Sequence, residues 1–153
     1  EIARRYELDN AVEVHDRIIA NRIILNFKQD GIHIDGIART VRTLMDGAHF
    51  SAEAMIIDRY DFTQSTVEEL RAFKQLAREC NLEIWFSAGI SEVAGDGAPA
   101  ELASLMDEVD VLITLQPRPS HIHLHLVKDH DAAVGDDLHL KLDPKILLID
   151  EEA

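Results

Sequence analysis

The chain has 153 residues, of which 29 are acidic and 15 are lysine or arginine, so its formal net charge is −14. This length suits one domain with a real hydrophobic core. The acidic balance argues against nucleic acid and anionic membranes as partners, because both require clustered basic residues. No apolar stretch reaches the roughly 20 residues of a membrane-spanning helix. A single cysteine, Cys80, fits a reducing compartment, so we expect a cytoplasmic protein.

The first third of the chain has helical periodicity. One helix is predicted from Asn10 to about Phe27, with Asn10 and Glu13 as a capping box. A second helix is predicted from about Asp35 to Gly47, where a glycine suits the C-cap. The apolar positions that indicate these helices are Val14, Ile18, Ile19 and Ile23, followed by Ile37, Val41, Leu44 and Met45.

Strand and helix then alternate. Residues 54–58 are continuously apolar up to Asp58, which predicts a short buried strand. Ser65 and Glu68 form a second capping-box pattern and begin a predicted helix. The side chains expected to face the core from this helix are Val67, Leu70, Phe73 and Ala77. A second apolar strand is predicted over residues 83–87, and it ends in a serine.

The last part of the chain changes its period. A glycine-rich loop over 88–98 precedes a short helix predicted from Pro99 to near Asp107. Strict alternation of apolar and polar residues then indicates two-faced strands. Strands are predicted over residues 109–115, 121–128, 138–142 and 146–149. Together these elements predict an α/β fold: a mixed, mostly parallel central sheet flanked by helices, with antiparallel strands at the C-terminal edge.

Three stretches resemble the RecA/KaiC-like branch of P-loop ATPases. Residues 55–58 are similar to the Walker B strand, and residues 84–87 are similar to the following strand with its polar tip. Residues 109–130 are similar to the strand, turn and strand that end in a basic pair. The resemblance covers residues 53–150 and implies a RecA-like fold. The phosphate loop, G-x-x-x-x-G-K-[ST], occurs nowhere in the 153 residues.

The resemblance implies a larger parent protein. We expect residues 1–153 to form a single domain that is the C-terminal part of a P-loop-like protein lacking the Walker A segment. Residues 1–50 would be a helical lead-in to the RecA-like portion. The parent would bind Mg²⁺ and ATP and act as a nucleoside triphosphatase, whereas the fragment alone would bind neither and be inert.

The resemblance also implies roles for four residues. Asp58 would be the catalytic carboxylate on the Mg²⁺ side, and Ser87 would contact the nucleotide as a polar sensor. Lys128 and His130 stand at the basic pair, where Lys128 would reach the γ-phosphate of a neighbouring subunit. His130 replaces an arginine, and an unperturbed histidine has a pKa of about 6.5. The alternatives are a strand-end Asp58 that caps a loop and a solvated strand terminus at Lys128.

Two further groups follow from the residues themselves. Asp61 is a candidate general base, although an aspartate here also suits the start of a turn. His121, His123 and His125 lie on one strand face, where i, i+2 pairs can chelate a metal, and His139 would join them from an adjacent strand. The other interpretation is a polar strand face with no ligand.

Two other functions remain open beside the ATPase fragment. The chain could be a non-catalytic interaction module of degenerate RecA-like fold, with strand 121–128 as an open edge that binds protein partners, above all a second copy of itself. A weaker alternative is a histidine-dependent metal-binding protein.

Overall fold

A computed structural model describes residues 9–27, 33–48, 50–90, 98–132, 134, 139–145 and 149–151. Within these residues the protein has α/β structure. Its helices are α1 (Ala11–Ala20), α2 (Ile34–Arg42) and α3 (Val67–Cys80). Its strands are β1 (Ala54–Ile57), β2 (Glu83–Phe86), β3 (Val111–Pro117), β4 (Ile122–Asp129), β5 (Leu140–Leu142) and β6 (Ile149–Glu151). Most of the predicted glycine-rich loop, Leu138 and residues 146–148 lie outside the described residues.

The chain divides into two compact units. One comprises residues 1–55 and 76–83, and the other comprises residues 56–75 and 84–153. The first unit contains α1 and α2, the second contains β3 to β6, and β1, α3 and β2 contribute residues to both. The expected single domain stays a prediction.

Helix α1 is shorter than the sequence predicts. The Asn10 amide nitrogen lies 3.4 Å from a carboxylate oxygen of Glu13, but the Asn10 side chain accepts no capping hydrogen bond, so the expected capping box is not formed. The helix ends before Asn21, whose backbone and side chain both donate to the Arg17 carbonyl. Residues 22–27 have no regular secondary structure, although the apolar pattern continues through them.

Helix α2 has the predicted position and a different end. Ile37, Ala38 and Val41 are buried along one face, as the spacing indicates. The chain then widens into a π-helical turn over Thr43–Gly47. Gly47 lies inside that turn and lacks the positive φ of a C-cap glycine, so the predicted cap is wrong.

The N-cap of α3 is displaced by one residue from the prediction. The Thr66 hydroxyl oxygen accepts from the Glu69 backbone N–H at 3.2 Å, so Thr66 caps the helix with Glu69 three positions on. Ser65 and Glu68 do not form the cap; the Ser65 hydroxyl instead donates to the Tyr60 phenol oxygen at 2.8 Å.

The buried face of α3 follows the predicted helical spacing. Leu70 and Phe73 are buried, whereas Val67 and Ala77 are half-buried. The side chain of Leu76, at 1% exposure, is buried more deeply than any of these four. Helix α3 therefore owes its position mainly to one apolar face.

Strands β1 and β2 form a parallel pair. The Glu83 N–H donates to the Glu53 carbonyl at 2.8 Å, and the Ser87 N–H donates to the Ile57 carbonyl at 2.9 Å. Both partners advance in the same direction along the chain, which is the pattern of a parallel ladder. The 14 residues of α3 form the crossover that parallel strands require.

These two strands are not buried on both faces. Met55 and Ile57 are half-buried, but Ile56 between them is 75% exposed, and Trp85 on β2 is 44% exposed. The prediction of a fully buried strand is therefore wrong. The apolar run indicated a strand but did not reveal that one face is uncovered.

The remaining described strands form a second sheet. Its order is β3-β4-β5-β6, and every neighbouring pair is antiparallel. Parallel and antiparallel pairing both occur, as predicted, but in two sheets rather than one mixed sheet. Strand β4 pairs with β3 on one side and, over Ile122–Leu124, with β5 on the other, so the first half of β4 is not the open edge that was expected.

A β-bulge interrupts the ladder between β3 and β4. Leu112 lies opposite Lys128, but Ile113 lies opposite Leu126, so Val127 is the extra residue. Directly paired residues share a face of the sheet. The bulge therefore gives Lys128 the same face as Leu112, and not the face of Leu126.

We expect the substitution Leu76→Ala to lower the free energy of unfolding by about 2–5 kcal/mol, because it leaves a cavity at a side chain that is 1% exposed. Arg78→Ala, on the exposed side of the same helix, is the matched control and should change stability by about 0.5 kcal/mol or less. Urea denaturation of both variants tests this. Equal effects would contradict the assignment of the buried face.

Candidate functional site

Two of the residues predicted for the site meet at the carboxyl ends of the parallel strands. Asp58 follows β1 and Ser87 follows β2. The Ser87 hydroxyl donates a hydrogen bond to a carboxylate oxygen of Asp58. Both residues are exposed. Ligands of open α/β sheets bind beyond this edge of the strands, so the pair lies where a ligand site is expected.

Ser87 also holds the backbone of the turn after β1. Its hydroxyl oxygen accepts from the Arg59 N–H at 3.0 Å, and its carbonyl accepts from the Tyr60 N–H at 2.8 Å. We call Asp58, Arg59, Tyr60 and Ser87 the strand-end site. The hydroxyl of Ser87 thus uses its one donor on Asp58 and an acceptor position on Arg59.

The turn contains a left-handed residue that the sequence does not signal. Arg59 has φ 56°, a conformation that favours glycine and asparagine and is uncommon for long side chains. Glycine or asparagine here would have marked the turn, but arginine does not. Among the described residues, the Arg59 guanidinium forms no hydrogen bond or ion pair, and the side chain is exposed.

Asp61 organises the next turn. One carboxylate oxygen of Asp61 accepts from the Thr63 N–H at 3.0 Å and from the Thr63 hydroxyl at 2.6 Å. Asp61 thereby caps the 3₁₀ turn Phe62–Gln64, as in the turn-forming alternative. Its role as a general base stays a prediction.

An aromatic cluster packs beside the strand-end site. The Tyr60 ring lies 4.8 Å from Phe62, 5.9 Å from Phe73 and 4.8 Å from Phe86, measured between ring centroids. Most of these contacts are edge-to-face, the geometry that aromatic quadrupoles prefer. Three elements are thus packed together at the turn that carries Asp58.

Burial in this cluster changes the ionisation of Tyr60. The pKa of the phenol is raised from an ordinary value of 10.0 to about 12, mainly by desolvation and also by the nearby carboxylates of Glu69 and Asp61. The hydrogen bond from Ser65 acts in the opposite direction. In the folded protein, the phenol of Tyr60 therefore stays neutral to a higher pH than an ordinary tyrosine does.

Lys128 makes a contact within its own unit. Its ammonium group donates to the Met106 carbonyl at 2.7 Å, and the side chain is part-buried. The segment after Met106 is also tied to α3 by ion pairs, Arg71 with Glu108 at 2.8 Å and Lys74 with Asp110 at 2.9 Å. The predicted contact of Lys128 with a neighbouring subunit stays a prediction.

His130 lies in the turn after β4. It has φ 52°, and its backbone N–H donates to the Asp110 carbonyl. Its Nδ1 lies 2.8 Å from a carboxylate oxygen of Asp129, and both side chains are exposed. Local ion pairs of this kind contribute little to stability. Nucleotide binding by His130 stays a prediction.

The strand histidines share a face, as the alternation indicates. The rings of His123 and His125 are stacked with centroids 6.4 Å apart, while His121 Nδ1 lies 3.0 Å from the Ser120 hydroxyl. Lys141 of β5 lies opposite His123 in the β4–β5 ladder, so the two residues share a face of the sheet. Within the described part of the chain, no three His, Cys, Asp or Glu side chains are grouped closely enough to hold a metal ion. His139 has φ 50° and precedes β5.

Two surface cavities lie in the unit that contains α1 and α2. One, of about 560 Å³, is lined by residues on one side of α2 and its π-helical turn, and the other, of about 820 Å³, is lined by α1 and its flanks. The strand-end site lines neither of them. We give more weight to the strand-end chemistry than to these open grooves, because it brings together two predicted site residues.

The sequence matches no family model, and comparisons with curated proteins and with solved structures give no match. The resemblance to RecA/KaiC-like ATPases therefore stays a prediction. None of the helices in the described ranges has both the length and the apolar character that crossing a bilayer demands.

We expect Tyr60 to make alkaline stability pH-dependent. Its folded-state pKa is raised above the ordinary value, so its contribution is complete below about pH 10 and is lost as the pH rises to about 12. The unfolding midpoint of the wild type should therefore fall more steeply over that interval than that of Tyr60→Phe. Tyr6→Phe removes the other tyrosine and is the control. Parallel pH profiles for the wild type and Tyr60→Phe would contradict the assignment.

Proposed function

We propose that this chain is the C-terminal portion of a cytoplasmic P-loop ATPase-like protein of RecA-like fold. In this proposal Asp58 is the carboxylate on the Mg²⁺ side and Ser87 is its partner on the neighbouring strand. The observation that carries the proposal is the hydrogen bond from the Ser87 hydroxyl to Asp58 at the carboxyl ends of adjacent parallel strands. A strand, a crossover helix and a parallel strand that end in two polar residues are the elements that nucleotide sites of this kind need.

The donor set fits magnesium. Asp58 offers an exposed carboxylate, and Mg²⁺ prefers oxygen ligands, taking one or two protein carboxylates together with water and substrate phosphates. Bound Mg²⁺ would neutralise negative charge on the phosphate groups. Asp58 alone would hold the ion weakly, so the nucleotide has to supply the remaining ligands.

The residues of the chain have separable tasks in this proposal. Ser87 orients the Asp58 carboxylate and fixes the turn behind it. Tyr60 packs against Phe73 of α3 and Phe86 of β2, and these contacts hold the turn on both elements. The phosphates themselves need a phosphate loop, which is not among these 153 residues, so we expect no ATP hydrolysis by the chain alone.

Calorimetric titration with Mg·ATP tests this proposal on the complete gene product and on the 153-residue chain in parallel. We expect binding by the gene product alone. Asp58→Ala should weaken that binding by at least about 10- to 100-fold, because the loss of even an outer-shell partner of a metal ligand costs that much. Asp107→Ala, which removes another exposed carboxylate, is the control and should bind like the wild type.

Two results would contradict the proposal. Unchanged Mg·ATP binding by Asp58→Ala would remove Asp58 from the site. ATP turnover by the 153-residue chain, lost in Asp58→Ala, would show that the chain is not inert alone.

A second candidate function, protein interaction through self-association, is favoured by the antiparallel sheet. One face of this sheet exposes Ile113, Leu115 and Ile149, which are 36%, 56% and 60% accessible. Their register places them beside Leu126, Leu124 and Leu142, all apolar. A second copy of this chain is the occupant we propose, since two apolar faces can pack together without opposing the acidic surfaces of two chains that each carry a charge of −14.

Sedimentation equilibrium tests the second candidate. We expect the wild-type chain to form dimers and Leu115→Asp to shift the population to monomers, because the substitution puts a charge into the apolar face. Ile24→Asp changes an apolar residue of the other unit that is 66% exposed, against 56% for Leu115, and should leave the dimer intact. A monomeric wild type, or a dimer unaffected by Leu115→Asp, would exclude this face as the interface.

A further inference from the structure

We infer that Arg59 is a binding residue of the strand-end site and that its guanidinium contacts a phosphate group of the bound nucleotide. The inference rests on the proposed function, and it adds a residue that neither the resemblance nor the sequence pattern indicates. Three observations carry it: the backbone conformation of Arg59, the hydrogen bonds that hold that conformation, and a guanidinium that has no partner among the described residues.

The conformation is unfavourable for this residue type. Arg59 has φ 56°, where the Cβ atom of a non-glycine residue crowds the backbone. Where α3 ends, the chain has Asn81 at φ 50°, a residue type that tolerates this region. Stability alone would favour asparagine or glycine at position 59 as well. Backbone strain that persists at a ligand-binding edge is a reason to look for function in the side chain.

Four hydrogen bonds of Ser87 hold the turn that follows β1. Ser87 donates to Asp58, accepts from the N–H groups of Arg59 and Tyr60, and donates from its own backbone to Ile57. One serine thus fixes four consecutive residues, 57–60. The carboxylate of Asp58 and the side chain of Arg59 are thereby held next to each other at the end of β1.

The chemistry of the side chain fits a phosphate. Arginine presents a rigid fork of N–H donors that matches phosphate oxygens, and it stays charged at any physiological pH. In the described part of the chain, every arginine–carboxylate ion pair involves another arginine, Arg42 with Glu79 and Arg71 with Glu108. Arg59 is exposed and remains available to a ligand although acidic residues outnumber basic ones by 29 to 15.

The test compares Arg59→Asn, Arg59→Lys and Arg118→Asn in the complete gene product. Arg118 is exposed and bonds to Gln116, so Arg118→Asn removes the same charge elsewhere. Mg·ATP affinity and the melting temperature are measured for each protein. We expect Arg59→Asn to bind Mg·ATP about tenfold or more weakly, Arg59→Lys to keep part of the affinity, and Arg118→Asn to match the wild type.

The melting temperature separates binding from structure. Asparagine tolerates the left-handed region, so Arg59→Asn should melt at the same temperature as the wild type or up to about 4 °C higher. A lower melting temperature with unchanged Mg·ATP affinity would mean a structural arginine and would overturn the inference. Wild-type affinity in Arg59→Asn, together with loss in Asp58→Ala, would overturn it while the proposed function stands. No Mg·ATP binding by the wild type would overturn both.

Discussion

The hydroxyl and the backbone of Ser87 tie the end of β2 to the turn that follows β1, and the strand-end site depends on this connection. Two residues about 29 positions apart in the chain, Asp58 and Ser87, are joined directly through their side chains. Parallel strands share no tight turn, so their ends come together only through the crossover helix and such contacts. The packing of the Tyr60 ring against Phe73 and Phe86 also stabilises this turn.

The sequence predicted this edge well because its signals are local. An apolar run that ends in Asp58 and a second that ends in Ser87 indicate strands whose polar tips face the same way once a helix lies between them. The helix between them was also predictable from the spacing of Leu70 and Phe73. The N-cap of this helix was not predictable, because Ser65–Glu68 and Thr66–Glu69 both match the capping-box pattern. In the structure the Ser65 hydroxyl donates to the Tyr60 phenol oxygen, and the Thr66 hydroxyl caps the N-terminus of α3.

Other features could not be predicted because they depend on partners that are distant in the chain. Apolar residues at 54–57 indicate a strand, but the 75% exposure of Ile56 depends on what covers the sheet. The strict alternation over residues 121–126 indicates a two-faced strand and says nothing about whether a neighbouring strand lies on each side. Strand β5 supplies that neighbour over Ile122–Leu124. The left-handed Arg59 has no sequence signal at all, because a local rule would place asparagine or glycine there.

The bulge at Val127 has a consequence for how this sheet can vary in length. Because of the extra residue, Lys128 lies on the opposite face of the sheet from Leu126, although residues two positions apart in a regular strand share a face. Exchanging Val127 for another side chain leaves that order intact. Deleting it would make Lys128 the direct neighbour of Leu126 in a regular ladder, still opposite Leu112, so Lys128 would keep the face from which it reaches the Met106 carbonyl. The bulge therefore lets β4 hold one additional residue while the pairing of Lys128 with Leu112 stays that of a regular ladder.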